Sequence, residues 1–178
     1  IIVMPADAPK VKVEGVKAYG GEVRLYDRFT ESREAIGAEI AAERGSVLVP
    51  PFDDFHVVAG QGTLGLEFAQ QAEALGAKLD AVYCGASGGG VIAGVSLALK
   101  ALSPSTEVHV VEPEHFDDHA RSLAAGERRS HAPNPTPSFC DALMAPMPGA
   151  VTWPINSRNL SGAIGVRSEE HTSELQSH

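Results

Sequence analysis

Short apolar runs alternate with amphipathic stretches along this chain. Ile1 to Met4 is an apolar run of strand character. It is followed by P-A-D-A-P-K, where Asp7 is placed to cap a helix and Pro9 to occupy its first turn. Gly20-Gly21 ends that helix. Val23 to Tyr26 reads as a second strand, and Thr30 with Glu31 to Arg44 as a second helix stopped by Gly45, with Ile36 and Ile40 on one face. Val47 to Val49 reads as a third strand, closed by Pro50-Pro51. After the loop F-D-D-F-H, the stripe Leu64, Phe68, Ala72, Leu75 predicts a helix ending at Gly76. The segment A-G-Q-G-T, Ala59 to Thr63, is expected to begin it, with Gly60 and Gly62 suited to close backbone approach and Thr63 positioned as a cap. Ala81 to Tyr83 is a fourth strand, Val91 to Leu102 an almost wholly apolar helix expected to be buried, and Glu107 to Val111 a fifth strand ending on Glu112.

Such alternation predicts an α/β fold with parallel sheets covered by helices. Beyond residue 126 the pattern weakens, and H-A-P-N-P-T-P-S must be a loop.

Composition narrows the function without choosing it. With 43% hydrophobic and 21% charged residues, the 178-residue chain has the balance of a soluble globular protein. Its net charge of -9 argues against a nucleic-acid surface. No apolar run approaches the ~20 residues of a membrane helix, and Ile1-Ile2-Val3-Met4 lacks the features of a signal peptide. Two cysteines, Cys84 and Cys140, make no disulfide framework and read as small buried thiols, so a cytoplasmic location is expected.

The stretch Y-C-G-A-S-G-G-G-V-I-A-G, residues 83 to 94, holds three consecutive glycines between strand and helix. Three readings suit it. A dinucleotide turn would use Gly88, Gly90 and Ala93, with Glu112 as the ribose-binding acid. A phosphate cup would converge backbone N–H groups on one anion at the start of the following helix. A purely structural turn would only bring helix and sheet close together. No lysine follows the glycines, which excludes a Walker A loop.

Further segments separate these readings. V-M-P-A-D-A-P-K-V-K, V-V-A-G-Q-G-T, S-G-G-G-V-I-A-G, V-V-E-P-E-H-F-D-D and S-F-C-D-A-L-M-A-P occur in this order. Together they resemble the pyridoxal-phosphate-dependent serine/threonine dehydratases and serine racemases, enzymes of fold type II. The likeness spans residues 1 to 166. It implies an incomplete portion of a two-domain architecture, with the remainder of a small domain over residues 1–56 and part of the large cofactor-binding domain over 57–166. Residues 167–178, R-S-E-E-H-T-S-E-L-Q-S-H, resemble a translated sequencing adapter and are expected to stand apart from the fold.

The resemblance implies that Ser87, Gly88, Gly89, Gly90 and Val91 hold the phosphate of pyridoxal 5'-phosphate. It also implies a divalent cation, Mg²⁺ or Ca²⁺, on Glu112, the carbonyl of Phe116 and Asp118, an all-oxygen set suited to a hard ion. A plainer reading of Asp117 or Asp118 is a helix cap. His115 and His119 are spaced to face together on a helix, but two histidines without a third ligand more often mark a solvated face than a zinc site. Asp53-Asp54 reads as a solvated loop.

In such enzymes a lysine carries the cofactor in an S-F-K-x-R-G-like motif, and an S-x-G-N-H-like loop grips the substrate carboxylate. β-Elimination from a small amino acid then gives a 2-oxo acid and ammonia. Neither motif is present here. Lys10, Lys12, Lys17, Lys78 and Lys100 stand in no such context, so no catalytic residue is assigned. The expectation is an L-threonine/L-serine ammonia-lyase, homo-oligomeric when intact, acting without nucleic acid or membrane. A serine racemase or hydroxyaspartate dehydratase on the same fold, a nucleotide-binding module and a non-catalytic fragment are the alternatives.

Overall fold

The computed structural model describes residues 1–28, 30–136 and 138–167. The expected artefact tail from residue 168 onward therefore lies outside the described residues, with Arg167 alone within them. The chain divides into two compact units, Ile1–Val49 and a second that begins at Pro50.

In the first unit, β1 (Ile2–Pro5) and β2 (Val23–Tyr26) pair in parallel, Ile2 opposite Val23 and Pro5 opposite Tyr26. α1 (Lys10–Ala18) connects them, with Pro9 at its N-cap. Asp7, expected to cap this helix, instead pairs with Arg28 at 2.8 Å. α2 (Arg33–Arg44) is capped by Ser32, whose hydroxyl accepts from the Ala35 amide, and is closed by Gly45 in the left-handed region at φ 61°. Val47 to Val49 forms no strand. Gly37 is the only buried position among the described residues of this unit, so little apolar burial holds it.

The second unit opens with α3 (Phe55–Ala74), followed by β3 (Ala81–Gly85), α4 (Gly90–Leu102), β4 (Glu107–Pro113), α5 (Asp118–Ala125), α6 (Trp153–Asn159) and β5 (Gly162–Val166). β4 is central in a parallel sheet ordered β3-β4-β5. Parallel pairing of this kind needs crossover helices, and the chain supplies them. Ala86, Ile92, Val95, Leu99, Val108 and Val110 form the core, so one face of α4 is buried as its composition predicts, while Val91, Leu97 and Leu102 are exposed. Pro154 sits in the first turn of α6, a favoured place for proline.

α3 begins before A-G-Q-G-T. Asp54 starts it, accepting from the amides of His56 and Val57 at 2.8 and 3.1 Å. Thr63 therefore sits inside the helix and bonds back to the Gly60 carbonyl. Of the predicted stripe Ala72 is buried, together with Val58 and Gly65, whereas Leu64, Phe68 and Leu75 are exposed. The reason is a close crossing with α4 that admits only small residues. A Cβ on Gly65 would come within 2.8 Å of the Val95 carbonyl oxygen. One on Gly94 would stand 2.4 Å from both the Gly62 nitrogen and the Val58 carbonyl oxygen. Gly60, by contrast, has open space. Gly94→Ala is expected to force the helices apart and lower stability by about 1–3 kcal/mol, read as a reduced urea midpoint.

Candidate functional site

The turn between β3 and α4 is fixed through its carbonyls. The Gly88 carbonyl accepts from the Gly149 amide at 3.0 Å and from the Thr152 hydroxyl at 2.6 Å. The Gly89 carbonyl accepts from the Ala93 amide at 3.0 Å and from the Asn156 side-chain amide at 3.2 Å. The amides are left over. The N–H groups of the six residues from Ser87 to Ile92 donate to no acceptor among the described residues, although those of Ala86 and Ala93 on either side are used. Consecutive backbone donors at a helix start, with their carbonyls held away, form an anion cradle.

The glycines themselves answer to packing. A Cβ on Gly88 would meet the Phe52 ring at 2.1 Å, and one on Gly90 the Phe52 Cβ at 2.8 Å. Gly89 has φ 87° and a neighbour on its open side, because a Cβ there would stand 2.5 Å from Asn156 Nδ2 and 2.6 Å from His119 Nε2. The Ser87 hydroxyl accepts from the Ala145 amide at 3.0 Å.

The loop before α3 serves this turn from the other side. Asp53 accepts from the amides of Ala150 and Val151 at 2.9 and 2.7 Å, holding the segment that leads into α6. Asp53-Asp54 is therefore a pair of backbone acceptors, not a merely solvated loop. Thr152 and Asn156, both fully buried, are the functional-site residues that sequence reasoning missed. The T-W-P start of α6 was the available signal for this element.

A second cluster lies at the junction of β4 and α5. Glu112, 1% exposed, turns its carboxylate onto the first turn of α5. Its Oε1 accepts from the His119 amide at 2.8 Å and lies 3.0 Å from His119 Nδ1, and its Oε2 accepts from the Ala120 amide at 3.0 Å. Glu112 thus does the capping expected of Asp117 or Asp118. Asp117, at the N-cap position, makes no such bond and pairs instead with Arg121 at 2.7 Å. Asp118 is buried, and its Oδ2 has no hydrogen-bond partner. Burial, and then the neighbouring Glu112 charge, push its carboxyl up from 3.8 to about 8. Phe116, whose carbonyl was the third expected ligand, has its ring buried edge-on against His131. His115 is exposed and precedes α5, whereas His119 is buried within it, so the two do not form a pair on one face.

Glu112 is thus committed to α5 and is not presented to a ribose, which removes the acid that the dinucleotide reading requires. Cys84 is a half-buried thiol whose pKa burial pushes up, the setting of an unreactive cysteine. All five lysines are exposed.

Residues 1–176 match the family described as pyridoxal-phosphate dependent enzyme. The chain belongs to this family. It is 36% identical over 169 residues to a serine racemase from Dictyostelium discoideum, covering 95% of this chain and 51% of that protein. It is 37% identical over 169 residues to an L-threo-3-hydroxyaspartate ammonia-lyase from Saccharomyces cerevisiae, covering 95% of this chain and 50% of that protein. Among solved structures, a maize serine racemase superposes with a TM-score of 0.88 at 36% identity, covering 98% of this chain and 51% of the other. The chain therefore spans about half the length of the curated relatives it matches, and its parallel α/β architecture is that of fold type II. No described helix is long and apolar enough to cross a membrane.

Membership in this pyridoxal-phosphate dependent family gives the cradle a fitting occupant. A phosphate needs several convergent donors and no competing acceptors, and the free amides from Ser87 to Val91 supply that donor set.

Proposed function

We propose that this chain carries the cofactor-phosphate grip of an L-threonine/L-serine ammonia-lyase. The observation that carries the reading is the run of backbone amides from Ser87 to Ile92 without an acceptor among the described residues, in a turn whose Gly88 and Gly89 carbonyls are held elsewhere. When bound, pyridoxal 5'-phosphate supplies the electron sink that lets the Cα proton and then the β-hydroxyl of a small amino acid depart. The contribution of this chain is to fix that group at its phosphate end. Ser87, Gly88, Gly89, Gly90 and Val91 donate to the phosphate. Thr152, Asn156 and the Gly149 amide keep the peptide planes of the turn oriented, and Phe52 backs the glycines.

The proposal includes a divalent cation beside Glu112, the Phe116 carbonyl and Asp118, with Mg²⁺ and Ca²⁺ as the natural occupants of an oxygen set. The unpartnered, buried Oδ2 of Asp118 supports it, since a buried carboxylate oxygen with no donor is costly unless a cation meets it. The proposed setting is a cytoplasmic homo-oligomer acting on a small amino-acid substrate.

A second reading is favoured by the relatives themselves, which include serine racemases and hydroxyaspartate ammonia-lyases at similar identity. One experiment separates them. The intact enzyme, loaded with cofactor, is incubated in parallel with L-threonine, L-serine and L-threo-3-hydroxyaspartate, and 2-oxo acid and D-serine are measured in the same samples. Release of 2-oxobutanoate and pyruvate, exceeding D-serine formation, supports the ammonia-lyase. D-serine as the main product, or 2-oxo acid from hydroxyaspartate alone, rejects it in favour of the corresponding alternative.

A further inference from the structure

His119 stands between the acidic cluster and the glycine turn and is joined to both. Its Nδ1 lies 3.0 Å from Glu112 Oε1, and its Nε2 lies 3.2 Å from Asn156 Nδ2. Asn156 Nδ2 also lies 3.2 Å from the Gly89 carbonyl oxygen. The side chains of His119 and Asn156 are completely buried. We propose that His119 is a positioning residue for the phosphate cradle. Acting through Asn156, it sets the direction of the Gly90 N–H and so the affinity of the turn for phosphate. The inference rests on the phosphate grip proposed above and adds to it a residue that lies outside the turn.

Each link fixes the proton of the next. A carbonyl oxygen only accepts, so the amide atom that faces Gly89 must be the Asn156 nitrogen. The reversed amide would set two oxygens against each other at the 3.2 Å separation seen here. The amide nitrogen donates and does not accept, so the His119 Nε2 beside it must be the acceptor. The ring proton is then on Nδ1, where Glu112 Oε1 takes it. Asn156 Oδ1 is buried and has no hydrogen-bond partner among the described residues. The amide therefore leaves its oxygen unpaired while both of its protons are used, an orientation held by the two acceptors on its nitrogen side.

Peptide planarity carries this orientation into the turn. In a trans peptide the C=O and N–H point in opposite directions, and no cis bond occurs among the described residues. Gly89 and Gly90 share one peptide plane. A Gly89 carbonyl drawn toward Asn156 thus aims the Gly90 N–H away from Asn156, as one of the amides without an acceptor. The Ala93 amide bonds the same carbonyl at 3.0 Å. Two bonds from different elements, α4 and α6, restrain the plane where one would leave it to pivot. The approach is close, since a Cβ on Gly89 would stand 2.5 Å from Asn156 Nδ2 and 2.6 Å from His119 Nε2. With no acceptor at position 119, reversing the Asn156 amide costs one hydrogen bond rather than two, and Gly89 loses its second hold.

The test is NMR titration of the 178-residue chain with inorganic phosphate, followed at the Gly90 amide, in wild type, His119→Leu and His119→Gln. Leucine removes both ring nitrogens. Glutamine also loses the bond to Glu112, but its amide oxygen can stand where Nε2 does and restore the acceptor for Asn156. His119→Leu is expected to weaken phosphate binding about five- to tenfold, with His119→Gln within about twofold of wild type. Glutamine as weak as leucine would assign the loss to packing and overturn the proposal. Because leucine beside Glu112 can compromise folding, the His119 ring is also read in the wild type by long-range ¹⁵N–¹H correlation. A proton on Nδ1 with a bare Nε2 upholds the proposal, and a proton on Nε2 overturns it. A folded His119→Leu that binds phosphate like the wild type overturns the positioning role alone. Failure of the wild type to bind phosphate overturns the grip and the positioning role together.

Discussion

Glu112→Ala is expected to lower the stability of the second unit by about 3 kcal/mol or more, read as a shift in the urea midpoint. The carboxylate accepts the His119 amide, the His119 ring nitrogen and the Ala120 amide, all at 2.8–3.0 Å and all away from water. Alanine leaves these donors without an acceptor, and Asp117 is turned toward Arg121 and offers no substitute. Part of the loss is offset, since removing the Glu112 charge also relieves the neighbouring Asp118. Glu112→Gln should fall between wild type and alanine, because one amide oxygen can still accept while the NH₂ group faces a donor. A midpoint for Glu112→Ala within about 0.5 kcal/mol of wild type would show that the carboxylate is not the cap of α5.

The second large effect belongs to Asp118 and is a matter of pH. Its carboxyl is pushed up to about 8 in the folded chain, from 3.8. Between those values the folded state holds a proton that the unfolded state has released. Stability is therefore greatest below the unfolded value and falls as pH rises toward the folded one, at up to about 1.4 kcal/mol per unit. Across the window this amounts to a few kcal/mol. Unfolding by urea at pH 5 and pH 8 in the presence of a chelator should show the wild type weaker at pH 8. Asp118→Asn, which has no proton to lose, should flatten that difference and exceed the wild type at pH 8. A wild-type stability that rises over this range by the same measurement would contradict the buried, protonated carboxyl.

Much of the fold was legible because local pattern and final packing agree. The apolar run of Val91 to Leu102 predicts a helix in the core, and Ile92, Val95 and Leu99 place one face of it there. The strand at Glu107–Pro113 follows its valines Val108, Val110 and Val111, and Val23–Tyr26 is a short strand where one was expected. Disagreement begins where a distant partner overrides the pattern. The large apolar residues of α3 looked like its buried stripe, but of that stripe only Ala72 is buried, and the close crossing with α4 is made by Gly65. Val47 to Val49 has strand propensity but no strand beside it. α6 and β5 are short, and their identity depends on docking onto elements far earlier in the chain.

The site divides in the same way. The glycine turn is visible as a string of residues, and so is the acidic stretch after β4. What those residues do is set by contacts the string does not contain. Glu112 reaches seven residues ahead to cap a helix, and Asp53 reaches across 97 positions to hold the Ala150 amide. His119 could not be distinguished from a solvated histidine until the start of α5 was known to lie at Asp118.

The anchoring of the glycine turn bears on the order in which the molecule acquires its function. The carbonyls of Gly88 and Gly89 are held by Gly149, Thr152 and Asn156, which emerge from synthesis more than 60 residues later. Closing a loop of that length is an entropic cost met only once α6 has docked. A growing chain that has finished β3 and α4 therefore has the glycines but not yet their orientation. The phosphate grip is a late product of folding, and ligand capture cannot template the steps that come before it.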